Sequence, residues 1–210
     1  MANELTHYQE LYRLASVLNS ARSSEEILHL IVTTTAKTLG VKGCSLMLLT
    51  RDKTALIRIA AYGLSNWFVR MGPVVVDLSM TESLNGRVIM IADATTDDRV
   101  EYRKQVKQEG IVSILSVPVK LRDEVIGVMR VYTSRPHTFT SEEITFAEAT
   151  ANFGAIALEF RHFFDRLQGE YDELLQDMRR RSAEQGYEAL GEPPVVPSEE
   201  KYPVAPPGGY

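Results

Sequence analysis

One cysteine, Cys44, is all that the chain carries. It has no partner for an internal disulfide and no second thiol for a CxxC-type metal site. Positive charge is also short: the formal net charge is -5, which disfavours the basic footprint that nucleic acid requires. The one basic run, Arg179 to Arg181, reads as a solvated helix end. No stretch approaches the roughly 18 apolar residues of a membrane span. The opening MANELTHYQELYRLAS lacks the basic start and apolar run of a secretory signal. The expectation is a cytoplasmic protein, away from membranes and nucleic acid.

Chemistry-bearing motifs are missing as well. There is no GxSxG, P-loop or HExxH pattern, and no serine with a histidine and aspartate in a recognisable arrangement. The four histidines, His7, His29, His137 and His162, are too scattered to suggest haem or metal ligation. Cys44 has no basic neighbour closer than Lys42, so it reads as an inert buried thiol. No catalytic residue, metal or cofactor is expected. Proline is sparse through most of the chain and then abundant. Six of nine prolines, with four glycines, fall in the stretch GYEALGEPPVVPSEEKYPVAPPGGY that begins at Gly186. A segment of that composition builds no core and is expected to be disordered or extended.

What remains reads as alternating helices and short strands. Glu4 to Leu18 places Leu5, Tyr8, Leu11, Tyr12, Leu14, Ala15 and Leu18 at helical spacing. Ser23-Ser24-Glu25-Glu26 supplies a helix cap with acids in the first turn, and Gly40 a stop. Cys44 to Leu49 and Ala55 to Tyr62 read as paired strands across the turn Arg51-Asp52-Lys53. In the second, Leu56, Arg58, Ala60 and Tyr62 are expected on one face. Val74 to Val76 and Arg87 to Ala92 are further strands, the latter after the turn dipeptide Asn85-Gly86. Asp97 or Asp98 is expected to cap a helix carrying Val100, Tyr102 and Val106. Ile111 to Leu121 and Val125 to Thr133 close the sheet, with Pro118 expected at an edge or bulge. Thr140-Ser141-Glu142-Glu143 opens a final helix running to about Arg181, with Gly154 as a close-packing site and Gly169 as a kink.

Several of these stretches together resemble the GAF family. They are Asp93-x-x-x-Asp97-Asp98-Arg99, then Glu109-Gly110-Ile111, then Ser113-Ile-Leu-Ser-Val-Pro-Val119. Val125-Ile-Gly-Val-Met-Arg-Val-Tyr132 and Phe139-Thr-Ser-Glu-Glu-Ile144 follow in the family's order. The resemblance covers about Leu5 to Leu167. It implies an α+β, PAS-related fold: a central six-stranded antiparallel sheet with helices on both faces and a long C-terminal helix. It also implies a pocket on one face and a sensory or regulatory role, without naming a ligand. The bilin-binding Cys-His pair, the cyclic-nucleotide motif and the several cysteines of the sulfoxide-reductase class are all missing. Residues 1–168 are read as the GAF domain with its N-terminal helices, 169–185 as a helix extension and 186–210 as the tail.

Candidate ligand-binding residues are Asp93, Asp98, Arg99 and Tyr102 on a pocket rim, facing Ser113 or Ser116, which alternation puts on opposite faces of their strand. Arg130 is an isolated cation in an apolar strand, read either as an anion binder or as a rim residue paired with an acid. Tyr62 and Trp67 are candidate pocket walls, though aromatic residues at such places are more often core. The acidic turn also has a local reading, in which Asp93 satisfies loop amides and Asp97 or Asp98 caps the helix. In the final helix, Phe164, Leu167, Tyr171, Leu174 and Met178 form a seam. The expected partners are a small-molecule ligand, a second copy joined through the terminal helices, and a signalling protein. The competing reading is a ligand-free dimerisation or protein-interaction scaffold.

Overall fold

A computed structural model describes residues 2–18 and 23–184. Two helices come first: α1 (Ala2–Leu18) and α2 (Ser24–Thr38). The second starts at its sequence signal. Ser23 accepts from the Glu26 amide while the Glu26 carboxylate accepts from the Ser23 amide, a complete capping box. Strands β1 (Gly43–Leu49) and β2 (Ala55–Tyr62) follow, then α3 (Asn66–Val69), β3 (Val74–Val75) and α4 (Leu78–Leu84). The chain continues through β4 (Ile89–Ile91), α5 (Arg103–Gln108), β5 (Ile114–Leu121) and β6 (Glu124–Tyr132) to α6 (Ser141–Glu184). Thr140 and Glu143 cap α6 reciprocally.

All strand pairs are antiparallel, in the order β3-β2-β1-β6-β5-β4. The fold is α+β with a six-stranded antiparallel sheet, as the resemblance implied. Pro118 pairs with Val128 of β6 at a point beyond the last β4 partner, Ser116. A missing amide donor therefore breaks no rung on the β4 side. The irregularity of this strand lies one step further, between Val119 and Lys120.

The chain divides into two compact units, Met1–Phe160 and Arg161–Tyr210. The first contains the sheet. On one sheet face, Cys44 and Leu46 of β1, Leu115, Val117 and Val119 of β5, and Met129 and Val131 of β6 are buried. They meet Leu14 of α1, Leu28, Ile31 and Val32 of α2, and Ala147, Ala151 and Ala155 of α6. The small residues let α6 approach closely: a Cβ on Gly154 would lie 2.5 Å from Leu46 Cδ1. Burial pushes the Cys44 thiol pKa up, so the thiolate is suppressed there.

The other face is covered by α3, α4, α5 and the loop between β4 and α5. Here Met47, Leu56, Val74, Met80 and Val128 form one apolar cluster. Phe68, Ile91, Val100, Val106, Ile114 and Tyr132 belong to another. In the second unit, the described part of α6 leaves Leu167, Tyr171, Leu174 and Met178 exposed. The helix runs unbroken through Gly169, where a kink was expected. The Pro-rich stretch 186–210 and the side chain of Phe164 lie outside the described residues, as does that of His162.

Candidate functional site

Alternation along β6 turns Val128, Arg130 and Tyr132 toward the α3–α4 face. Arg130 is only 5% exposed. Its Nε donates to Ser116 Oγ at 3.1 Å and its Nη2 to Ser79 Oγ at 2.6 Å. The Ser79 hydroxyl donates in turn to Asp77, whose other oxygen accepts from the Glu101 amide at 3.1 Å. Tyr132 and Ser45 hydroxyls meet at 2.9 Å on the same face. Ser83 Oγ donates to the Ser116 carbonyl at 3.3 Å. A buried polar network thus lies between the sheet and α4, termed the polar chamber. Burial pulls the Arg130 guanidinium pKa down, Tyr132 and Asp77 oppose that, and Arg58 adds to it.

Arg58 sits at the point where β2 changes face. Leu46 pairs with Ala60 but Met47 pairs with Arg58, leaving Ile59 as the extra residue of a β-bulge. The expected grouping of Leu56, Arg58, Ala60 and Tyr62 on one face is therefore corrected. Leu56 faces α4 with Met80, and Arg58 shares its side; Ala60 and Tyr62 join the opposite core. Lys37 of α2 sits 5.7 Å from the Tyr62 ring. Arg58 Nη1 donates to the Phe68 and Val69 carbonyls at 2.9 and 3.2 Å, and the guanidinium lies 5.1 Å from the Phe68 ring. Its Nε is buried without a hydrogen-bond partner. A groove of about 360 Å³ runs beside it, lined by Glu25, His29, Arg58, Tyr62, Asn66 and Val69 among others.

The structure brings Ser116 and Arg130 together and leaves most other candidates elsewhere. Asp93 is exposed and accepts from the Thr95 hydroxyl and amide at 2.6 and 2.9 Å, which lowers its pKa. Arg99 forks onto Asp97 at 2.9 and 2.6 Å, holding that carboxyl below its usual range. Asp98 pairs with Arg103. Neither aspartate caps α5, which begins only at Arg103 after Tyr102 with no side-chain cap. Tyr102 packs against the Met47–Met80 cluster. Ser113 Oγ donates to the Ala92 carbonyl at 2.7 Å and accepts from the His137 amide at 3.0 Å, tying loops together. Trp67 is 39% exposed and stands edge-on to Phe68.

Arg58, Asp77, Ser79 and Glu109 carry no mark of their roles in the sequence. Arg58 looks like one member of an alternating strand, and nothing in so apolar a run signals the bulge that follows it. Asp77 and Ser79 lie in a stretch that reads only as short and polar, yet Ser79 meets a side chain 51 positions away. Glu109 is buried as well. It accepts from the Ser65 amide at 2.9 Å and from the Ser65 hydroxyl, and Lys42 Nζ lies 3.6 Å away. It thereby fixes the start of α3, where Ser65 is the N-cap. Among the described residues, no group of three or more His, Cys, Asp or Glu could hold a metal, and no helix is long and apolar enough to cross a membrane.

A family model described as GAF domain matches residues 23–158. The chain belongs to the GAF family. Solved GAF domains share its architecture. That of a phosphoenolpyruvate-protein phosphotransferase from Coxiella burnetii is 20% identical, with a TM-score of 0.70 over 78% of this chain and 99% of its own. The corresponding Acinetobacter domain is 21% identical, with a TM-score of 0.64 over 76% and 97%. The blue-light absorbing form of the Thermosynechococcus elongatus PixJ GAF domain is 18% identical, with a TM-score of 0.58 over 71% and 93%. At these identities the likeness is one of fold. No curated protein sequence matches the chain. The matched stretch of this GAF domain contains the whole chamber, from Ser45 to Tyr132.

Proposed function

We propose that this GAF domain is a non-catalytic sensory or regulatory module that binds a small molecule in the chamber and signals through its terminal helices. One observation carries the reading: Arg130 is a buried guanidinium held by two serine hydroxyls, with no direct carboxylate partner among the described residues. Buried charges are ordinarily paired, so this one is suited to a ligand. The family often serves sensory or regulatory roles in signalling proteins, and the T. elongatus domain absorbs light. Ligand contacts would come from Arg130, Ser116 and the chamber walls. A thermal-shift screen of nucleotides, amino acids, haem and bilins tests this: a saturable rise in melting temperature supports it, and a flat response across the screen counts against it.

A homodimer is part of the proposal. In the first unit, Leu5, Tyr8 and Tyr12 of α1 are 61%, 70% and 78% exposed. In the second, Leu167, Tyr171, Leu174 and Met178 follow spacings of four, three and four along α6. A second copy would cover such surfaces in a helical bundle. Sedimentation at the mass of one chain would sink the dimer, and deleting residues 169–210 should weaken association.

The same exposed surfaces favour a second reading, a ligand-free interaction scaffold whose chamber is filled by its own side chains. In that case the chamber can be replaced by apolar residues without loss of partner binding. Pull-down with an Arg130→Met, Ser116→Ala variant separates the two readings.

A further inference from the structure

We propose that the ligand is a small organic or inorganic anion, a carboxylate or phosphate, gripped between Arg58 and Arg130. This rests on the sensory-module reading and names the chemical class that the chamber would take. The register places both arginines on one sheet face, on either side of β1. Arg58 is opposite Met47, and Arg130 is opposite Ser45. Two strand spacings and a two-residue step along β1 separate them, roughly 12 Å at the backbone. Two long guanidinium side chains can close that gap over one anion.

Charge points the same way. Arg58 and Arg130 bring two positive charges to this region, and Asp77 brings one negative, leaving a surplus of one. Glu25 also lines the groove, but it is exposed, where solvent and salt screen its charge. No ion pair among the described residues includes either arginine. Asp77 reaches Arg130 only through the Ser79 hydroxyl. The orphaned donor, Arg58 Nε, is buried without an acceptor, and a buried donor left unmade is costly. An anion oxygen would satisfy it. The groove of about 360 Å³ beside β2 has Arg58 in its wall. β2 is open there because β3 pairs only with Ala55 and Leu56.

The single tryptophan supplies a local readout. Trp67 stands edge-on to Phe68 with centroids 5.7 Å apart, and Phe68 carries Arg58. The full chain is titrated at constant ionic strength with inorganic phosphate and with succinate, using succinamide as the neutral control. Trp67 fluorescence and melting temperature are both followed. The expected result is a saturable fluorescence change with at least one anion and none with succinamide. For a millimolar Kd, about 10 mM anion raises the melting temperature by roughly 3 to 6 °C. Arg58→Gln should weaken that response at least tenfold, and Arg58→Lys should keep part of it. Arg130→Gln serves as a second variant, with far-UV circular dichroism to confirm its fold. An undiminished response in both folded Gln variants would overturn the two-arginine grip. Succinamide binding as well as succinate would overturn the anion and leave the sensory module standing, as would silence toward both anions beside a hit in the wider ligand screen. No response to either anion, together with a flat screen, would overturn both.

Discussion

The two faces of the sheet solve opposite problems. Against α1, α2 and α6, nearly every inward side chain is apolar, and Leu46, Leu115, Val117 and Met129 are fully buried. Against α3 and α4, buried residues include Ser45, Asp77, Ser79, Ser83, Ser116 and Arg130. An apolar filling would cost less there, because each buried polar group needs a partner and a buried charge needs more. One face is almost wholly apolar, while the other sets two apolar clusters beside buried polar groups that hydrogen-bond to one another.

That contrast is tested most severely from its apolar side. Leu46→Ala should lose about 3 kcal/mol, read as a fall in the denaturant midpoint. Glu109→Ala, on the polar side, strands the Ser65 amide and Lys42. It should cost about 2 kcal/mol, with a change in Trp67 fluorescence because α3 loses its anchor. Within the chamber itself, Ser116→Ala should cost nearer 1 kcal/mol; a loss equal to that of Leu46→Ala would erase the distinction between the faces. Ser23→Ala removes the α2 capping box and should also cost about 1 kcal/mol, leaving chamber binding unchanged.

The smallest effect concerns pH. Asp97 has its pKa lowered by its hydrogen bonds to Arg99. A carboxylate with a depressed folded-state pKa contributes stability above its unfolded value, and loses it as pH falls through the folded value. Asp97→Asn should therefore flatten the acid limb of the stability curve, measured by urea unfolding at stepped pH, and leave the shape near neutrality unchanged. Exposure of the Arg99 partner keeps the effect small.

Much of the architecture was legible because it is written locally. Ser23 to Glu26, Asn85-Gly86 and Thr140 to Glu143 announce where elements start and turn. The chamber was harder to see. Both faces of β1, β5 and β6 are buried, so their sequences run nearly unbroken in apolar residues, and periodicity does not say which side faces the polar roof. Arg130 stood out because charge is rare in such a run. Its partner Ser79 did not, since a serine in a short polar stretch carries no sign of a contact 51 residues away. The acidic turn drew notice for the opposite reason: it concentrates charge, but Asp93, Asp97 and Asp98 commit it to Thr95, Arg99 and Arg103.

The extra residue Ile59 gives β2 two reading frames. Before it, the side chain of Arg58 belongs to the chamber; after it, Ala60 belongs to the helix-packed core. Deleting Ile59 would leave Leu46 opposite Ala60 and Met47 opposite Arg58 in an uninterrupted ladder, with neither half changing sides. One strand is thus divided between two packing environments, with Leu56 and Arg58 on the side of α3 and α4 and Ala60 and Tyr62 on the side of α1, α2 and α6.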